Sequence, residues 1–151
     1  MRFVLLCVAA FTAVCNAYNF APLDVSPCEN SPEFTEVATP YCEVGKECYA
    51  GAGSRFQLRF TGSNKQAYPV YVSVWADVRS IDYPEDSFLY SSNCHSEWTR
   101  YQCTVQPSKN VTGYVAIEIP RTFKKALTRI FLHVDGIGCG SMYIWVSNNN
   151  T

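Results

Sequence analysis

Ser54 to Thr61 reads SRFQLRFT, and its alternation decides the fold class. Phe56, Leu58 and Phe60 fall on one side of an extended chain, with Arg55, Gln57 and Arg59 on the other, the period-two pattern of a strand with one buried face. A helix would scatter those side chains around its circumference. The pattern recurs along the chain. From Tyr68 to Val78, Val70, Val72, Val74 and Ala76 share a face opposite Tyr71, Ser73, Trp75 and Asp77. Val115, Ile117 and Ile119 alternate with Tyr114, Ala116 and Glu118 until Pro120 ends the run. Ile130, Leu132 and Val134 oppose Arg129, Phe131 and His133, and Met142, Ile144 and Val146 oppose Tyr143, Trp145 and Ser147. Phe34 to Ala38 and Ser87 to Tyr90 are shorter candidates.

Turn-formers separate these runs: GSN at 62–64, DYPED at 82–86 and DGIGCG at 135–140. Thr122 to Leu127 is the one helical candidate, too short to define the class. About seven strands at this spacing predict an all-β, immunoglobulin-like β-sandwich of two antiparallel sheets, with a closed barrel as the structural alternative.

The opening MRFVLLCVAAFTAVCNA pairs basic Arg2 with an apolar run and small residues before Tyr18, which reads as a signal peptide over 1–17. A bilayer-spanning helix needs about 20 apolar residues, more than this run supplies. The remaining 18–151 is the length of one domain with a real core. Of eight cysteines, Cys7 and Cys15 lie in the leader. The other six, Cys28, Cys42, Cys48, Cys94, Cys103 and Cys139, form an even set that implies three disulfides in an oxidising compartment. Six cysteines permit fifteen pairings, and composition does not choose among them.

The formal net charge is −1, or −2 without Arg2, with no run of either sign. That balance speaks against nucleic acid as a partner. Asn110-Val111-Thr112 is a glycosylation sequon, and Asn149-Asn150-Thr151 is a second.

A hydrolase or metalloenzyme would show its machinery, yet there is no G-x-S-x-G and no H-E-x-x-H. The two histidines, His95 and His133, lack the spacing of metal ligands. Glu85 and Asp86 are neighbours in a turn, where side chains point apart. The expectation is a protein that is not an enzyme and holds neither metal nor cofactor.

The cysteine order, single, close pair, close pair, single, resembles the ML family of lipid-recognition domains, to which myeloid differentiation factor two, the soluble Niemann-Pick type C sterol carrier and the group two house-dust-mite allergens belong. Local features agree. PEFTEVATPYC leads to Cys42; Cys48 is followed five residues on by Gly53 and then SRFQLRF; NCHSEWTRYQC precedes VTGYVAIEIP; and Cys139 opens CGSMYIWVS. Three departures stand beside these: Ala52 takes the place of a frequent basic residue, the second close pair is wide, and only VRSIDYPEDS stands for the family's long Gly-Pro-rich loop before that pair.

The resemblance implies pairing of Cys28 with Cys139, Cys42 with Cys48, and Cys94 with Cys103. It also implies splayed sheets that hold a lipid, sterol or fatty acid against Phe56, Leu58, Val72, Val74, Val115, Ile117, Ile130 and Leu132. Tyr83, Pro84 and Phe123 would form the cavity rim, with Lys124, Lys125 and Arg129 near it to meet anionic head groups. Periodicity alone is equally satisfied by a filled core. Burying about 300 Å² of ligand surface at about 25 cal/mol per Å² yields roughly 7 kcal/mol gross, much of it offset by association entropy. The expectation is a monomeric lipid-binding or lipid-transfer protein, outside the cell or in the lysosomal lumen. The alternative is an innate-immunity coreceptor or allergen-like recognition protein with receptor or membrane contacts. The aromatics Tyr71, Trp75, Tyr143 and Trp145, opposite the aliphatic faces, are expected to pack against neighbouring chain or else to form such a contact surface.

Overall fold

The computed structural model describes residues 19–148, so the leader with Cys7 and Cys15, and the sequon at Asn149, lie outside the described residues. Twelve strands follow in order: β1 (Ala21–Pro22), β2 (Ser26–Pro27), β3 (Glu36–Thr39), β4 (Tyr49–Gly51), β5 (Arg55–Ser63), β6 (Val70–Tyr71), β7 (Ser73–Ser80), β8 (Ser87–Asn93), β9 (Thr104–Val105), β10 (Asn110–Glu118), β11 (Ala126–Val134) and β12 (Gly138–Ser147). Seven of them correspond to the expected runs; the rest are short pieces of two or three residues, too brief to show a period.

Two sheets form the sandwich. One runs β1-β3-β5-β10, and the other β2-β12-β11-β7-β8. β4 adds to β12 in parallel, the one parallel pairing among the described strands. The Cys42 to Cys48 turn sends the chain back along β12, and Trp145 N–H donates to Cys48 O at 2.7 Å.

Register sets the inner faces. Phe56, Leu58 and Phe60 of β5 lie opposite Ile117, Val115 and Gly113 of β10. On the facing sheet, Ile130 sits between Met142 and Val78, and Leu132 between Gly140 and Ala76. Large residues therefore meet small ones. A Cβ at Gly113 would collide with the Phe60 ring and, at 2.8 Å, with Tyr101. The inner faces join in one buried cluster.

Three sequence readings change. Thr122 to Leu127 is not helical: Phe123 N–H closes a turn onto Pro120 O at 3.1 Å, Asp86 Oδ2 accepts from Lys124 N–H at 2.8 Å, and Ala126 already belongs to β11. An isolated helix of that length lacks the hydrogen bonds to compete. Gly62 and Ser63 continue β5 instead of turning. The long run from Tyr68 breaks at Val72, because β6 pairs with β9 while β7 joins the larger sheet. The expected disulfides are present, with Cα–Cα distances of 5.5 Å for Cys28–Cys139, 4.9 Å for Cys42–Cys48 and 5.1 Å for Cys94–Cys103.

Candidate functional site

The eight residues expected to line a cavity come together between the sheets. Phe56 and Leu58 on β5, Val115 and Ile117 on β10, Val72 before β7, Val74 on β7, and Ile130 and Leu132 on β11 are all buried in the same apolar cluster. Alternation brings them there, because each strand presents every second side chain inward.

One side of the sandwich carries a surface cleft that none of these eight residues lines. β8 ends one sheet and β10 ends the other, and a cleft of about 450 Å³ lies between them. Phe88 and Tyr90 of β8, Ala116 and Glu118 of β10, and Arg55 and Trp98 line it. The Arg55 guanidinium lies 4.2 Å from the Trp98 ring centroid, and its Nε is 3.8 Å from Glu118 Oε2. Trp98 sits at a φ of 67° and is 57 % exposed. Neither Trp98 nor Arg55 announced itself in the sequence: Trp98 lies in an aperiodic loop, and Arg55 counts there only as a polar strand position.

None of the expected rim residues lines this cleft; they gather where the turns before β8 and β11 meet. Phe123 is buried and packs edge-on against Phe88 with ring centroids 5.7 Å apart, so it closes the end of the core instead of standing at a lip. Tyr83 is half-buried under Lys124 Nζ, 4.4 Å from its ring centroid, and Pro84 is exposed. Lys124 Nζ is 2.5 Å from Glu85 Oε1. That contact holds the Glu85 carboxyl below the usual range and raises the Lys124 ammonium, so Lys124 is engaged. Arg129 stands apart from this end, in mid-strand opposite Tyr143 and Arg79.

The outer face of the larger sheet carries the second aromatic set. Trp75 stacks on His133 at 4.9 Å and tilts against Phe131 at 5.5 Å, yet remains 38 % exposed; Tyr143, and Tyr71 on the separate β6–β9 pair, are more exposed still. Packing therefore accounts for only part of this surface. A second cleft, of about 600 Å³, lies where Leu23 and the Cys42 to Cys48 turn meet Tyr143 and Trp145. There Tyr49 donates its phenol proton to Glu47 Oε2 at 2.5 Å, which raises the Tyr49 pKa.

Two clusters invite a chemical reading. Cys94, His95 and Cys103 lie within coordinating range of one another, but the two sulfurs are bonded to each other and offer no thiolate. Ser73, Asp135 and His133 also meet: Ser73 Oγ donates to Asp135 Oδ2, and His133 Nε2 lies 3.1 Å from Asp135 Oδ1. The carboxylate sits between hydroxyl and imidazole. A hydrolytic triad needs the imidazole in the middle to take the hydroxyl proton.

No family model matches the chain, and no curated protein matches it. Among solved structures it is similar to a Niemann-Pick type C2 protein from Japanese carpenter ant, at 10% identity and a TM-score of 0.58, over 85% of this chain and 99% of that one. It also aligns, over 65% of this chain and 27% of that one, with Pseudomonas fluorescens alkylpurine DNA glycosylase AlkC bound to DNA containing an abasic site analog, at 14% identity and a TM-score of 0.44, a likeness too slight to bear on the fold. What the chain shares with the ant protein is a fold, the β-sandwich.

Proposed function

We propose that this protein binds a lipid, sterol or fatty acid between its two sheets and carries it through an aqueous compartment, outside the cell or in the lysosomal lumen. The observation that carries the reading is a buried apolar cluster with a surface cleft beside it: eight buried aliphatic and aromatic side chains from both sheets, next to a cleft at the edges of β8 and β10. The family resemblance in the cysteine series and the likeness in fold to a Niemann-Pick type C2 protein support it. Ligand would be admitted as the sheets part along β8 and β10, with Phe88 and Tyr90 moving aside and the Phe123 end held by its turn. The role is binding and not catalysis. Asn110, exposed at the first residue of β10, is the proposed glycan site.

Native mass spectrometry of protein from its own source, followed by organic extraction, tests the reading. A co-purifying lipid, or micromolar binding of dehydroergosterol or a fluorescent fatty acid, supports it; absence of all three overturns it. Leu132→Trp sets a larger ring on the inner face between Ala76 and Gly140 and is expected to weaken probe binding tenfold or more at a stability cost of about 1–3 kcal/mol. A second reading, a coreceptor that presents lipid to a membrane protein, is favoured by the exposed Tyr143 and Trp75. It predicts that Trp75→Ala leaves probe binding intact while abolishing receptor capture.

A further inference from the structure

A strand at the end of a sheet offers the N–H and C=O groups of alternate residues to whatever lies beside it. β8 is such a strand. Ser80 N–H donates to Asp86 O at 2.9 Å, which fixes the phase: even-numbered residues of β8 bond to β7, and odd-numbered ones point outward. Two of the outward residues are already engaged. Asn93 N–H donates to Ser96 Oγ at 2.9 Å and its carbonyl accepts from Thr99 Oγ1 at 3.1 Å, while Ser87 N–H donates to Glu85 O at 3.0 Å. That leaves Leu89 and Ser91, with no strand beside them among the described residues.

Protected edges usually carry a charge, a proline or a bulge. SFLYSSN has no charge and no proline, and it pairs with β7 without interruption from Ser87 to Asn93. Leu89 is 78 % exposed on this edge.

We propose that two copies of this chain pair edge to edge through β8, antiparallel about a twofold axis at Tyr90. In that register Leu89 of each copy faces Ser91 of the other, and all four outward groups of both residues are used, giving four N–H···O bonds in total. Tyr90 meets its own copy as a non-hydrogen-bonded pair. Centring the pair on Leu89 would instead set Ser91 against Ser87, whose amide is taken by Glu85. The contact is small, so association is weak, with a Kd on the order of tens to hundreds of micromolar. This inference does not depend on any ligand.

Sedimentation velocity of the intact protein, from low micromolar to roughly half a millimolar, reads the equilibrium. The expected result is a concentration-dependent shift from monomer to dimer that Leu89→Lys removes without changing the thermal midpoint. A chain that stays monomeric throughout overturns the proposal, as does a Leu89→Lys variant that associates like wild type. Tyr90→Cys, placed where paired Cα atoms stand about 4.5 Å apart, is expected to form an intermolecular disulfide faster than Leu89→Cys. Equal rates in a folded, associating protein would overturn the register.

Discussion

Asn64 is a buried amide that holds a loop together through three bonds. Its Nδ2 donates to Tyr68 O and Val105 O, both at 2.9 Å, and its Oδ1 accepts from Gln66 N–H at 2.8 Å. Asn64→Leu would leave the buried Val105 carbonyl without its partner, at a cost of about 1–3 kcal/mol measurable by urea unfolding. In the sequence Asn64 is simply the end of a turn-forming triplet, because a side chain's distant partners leave no periodic trace. Tyr101 was equally silent. It packs against Phe60 with ring centroids 5.8 Å apart, and burial raises its pKa, with a smaller opposing effect from the Ser92 hydroxyl. The unfolded phenol ionises near 10, below the folded value, so this contribution is intact below about pH 10 and lost as pH rises through the folded pKa. Wild type is therefore expected to lose stability more steeply between about pH 9 and 11 than Tyr101→Phe, read from unfolding midpoints across that range. The Glu85 carboxyl, held low by Lys124, acts with the opposite sign: its contribution is present above the usual carboxylate pKa and fades as pH falls through the lower folded value. Glu85→Gln should flatten the acid limb of the same curve.

Strands were legible wherever five or more residues alternated. β5, β7, β10, β11 and β12 follow from their sequences because burial on one face imposes period two on composition. β1, β2, β4 and β9 were not legible, since two or three residues hold less than two periods and are specified by their neighbours on the sheet. The break at Val72 was hidden for the opposite reason: Val70, Val72 and Val74 keep their alternation while the chain exchanges one partner for another, with Val72 N–H donating to Cys103 O at 2.9 Å. The burial of the eight inner residues could thus be read in advance, whereas the cleft at β8 and β10 could not, because Trp98 and Arg55 meet only after the fold has formed. Between β5 and β10, Gly113 makes room for Phe60. Gly113→Ala should force that ring and Tyr101 to move and destabilise the protein by about 1–3 kcal/mol, seen in the urea midpoint. Phe60→Leu in the same chain should recover part of the loss, because it withdraws the ring that the new methyl meets.

At the scale of the whole molecule, the two sheets share their burden with three covalent links. The bond between Cys28 and Cys139 spans a sequence separation of 111, while the other two span 6 and 9. In the chain-entropy account the long link contributes about 5 kcal/mol and each short one about 2–3. Replacing Cys28 and Cys139 with serine should therefore lower the unfolding free energy by roughly twice as much as replacing Cys42 and Cys48. Comparison of the two double variants in urea, each against wild type, checks the ratio. The outer bond has a second consequence, topological instead of energetic. Residues 28–139 form a closed ring that contains the whole of the stretch from β3 to β11, including the turns at 82–86 and 119–125. A protease that cuts once within that ring opens it without releasing a fragment. The nicked chain keeps its parent's mass on a non-reducing gel and separates into two pieces only when the sulfurs are reduced, so a single cleavage in a protease-rich compartment leaves one molecule.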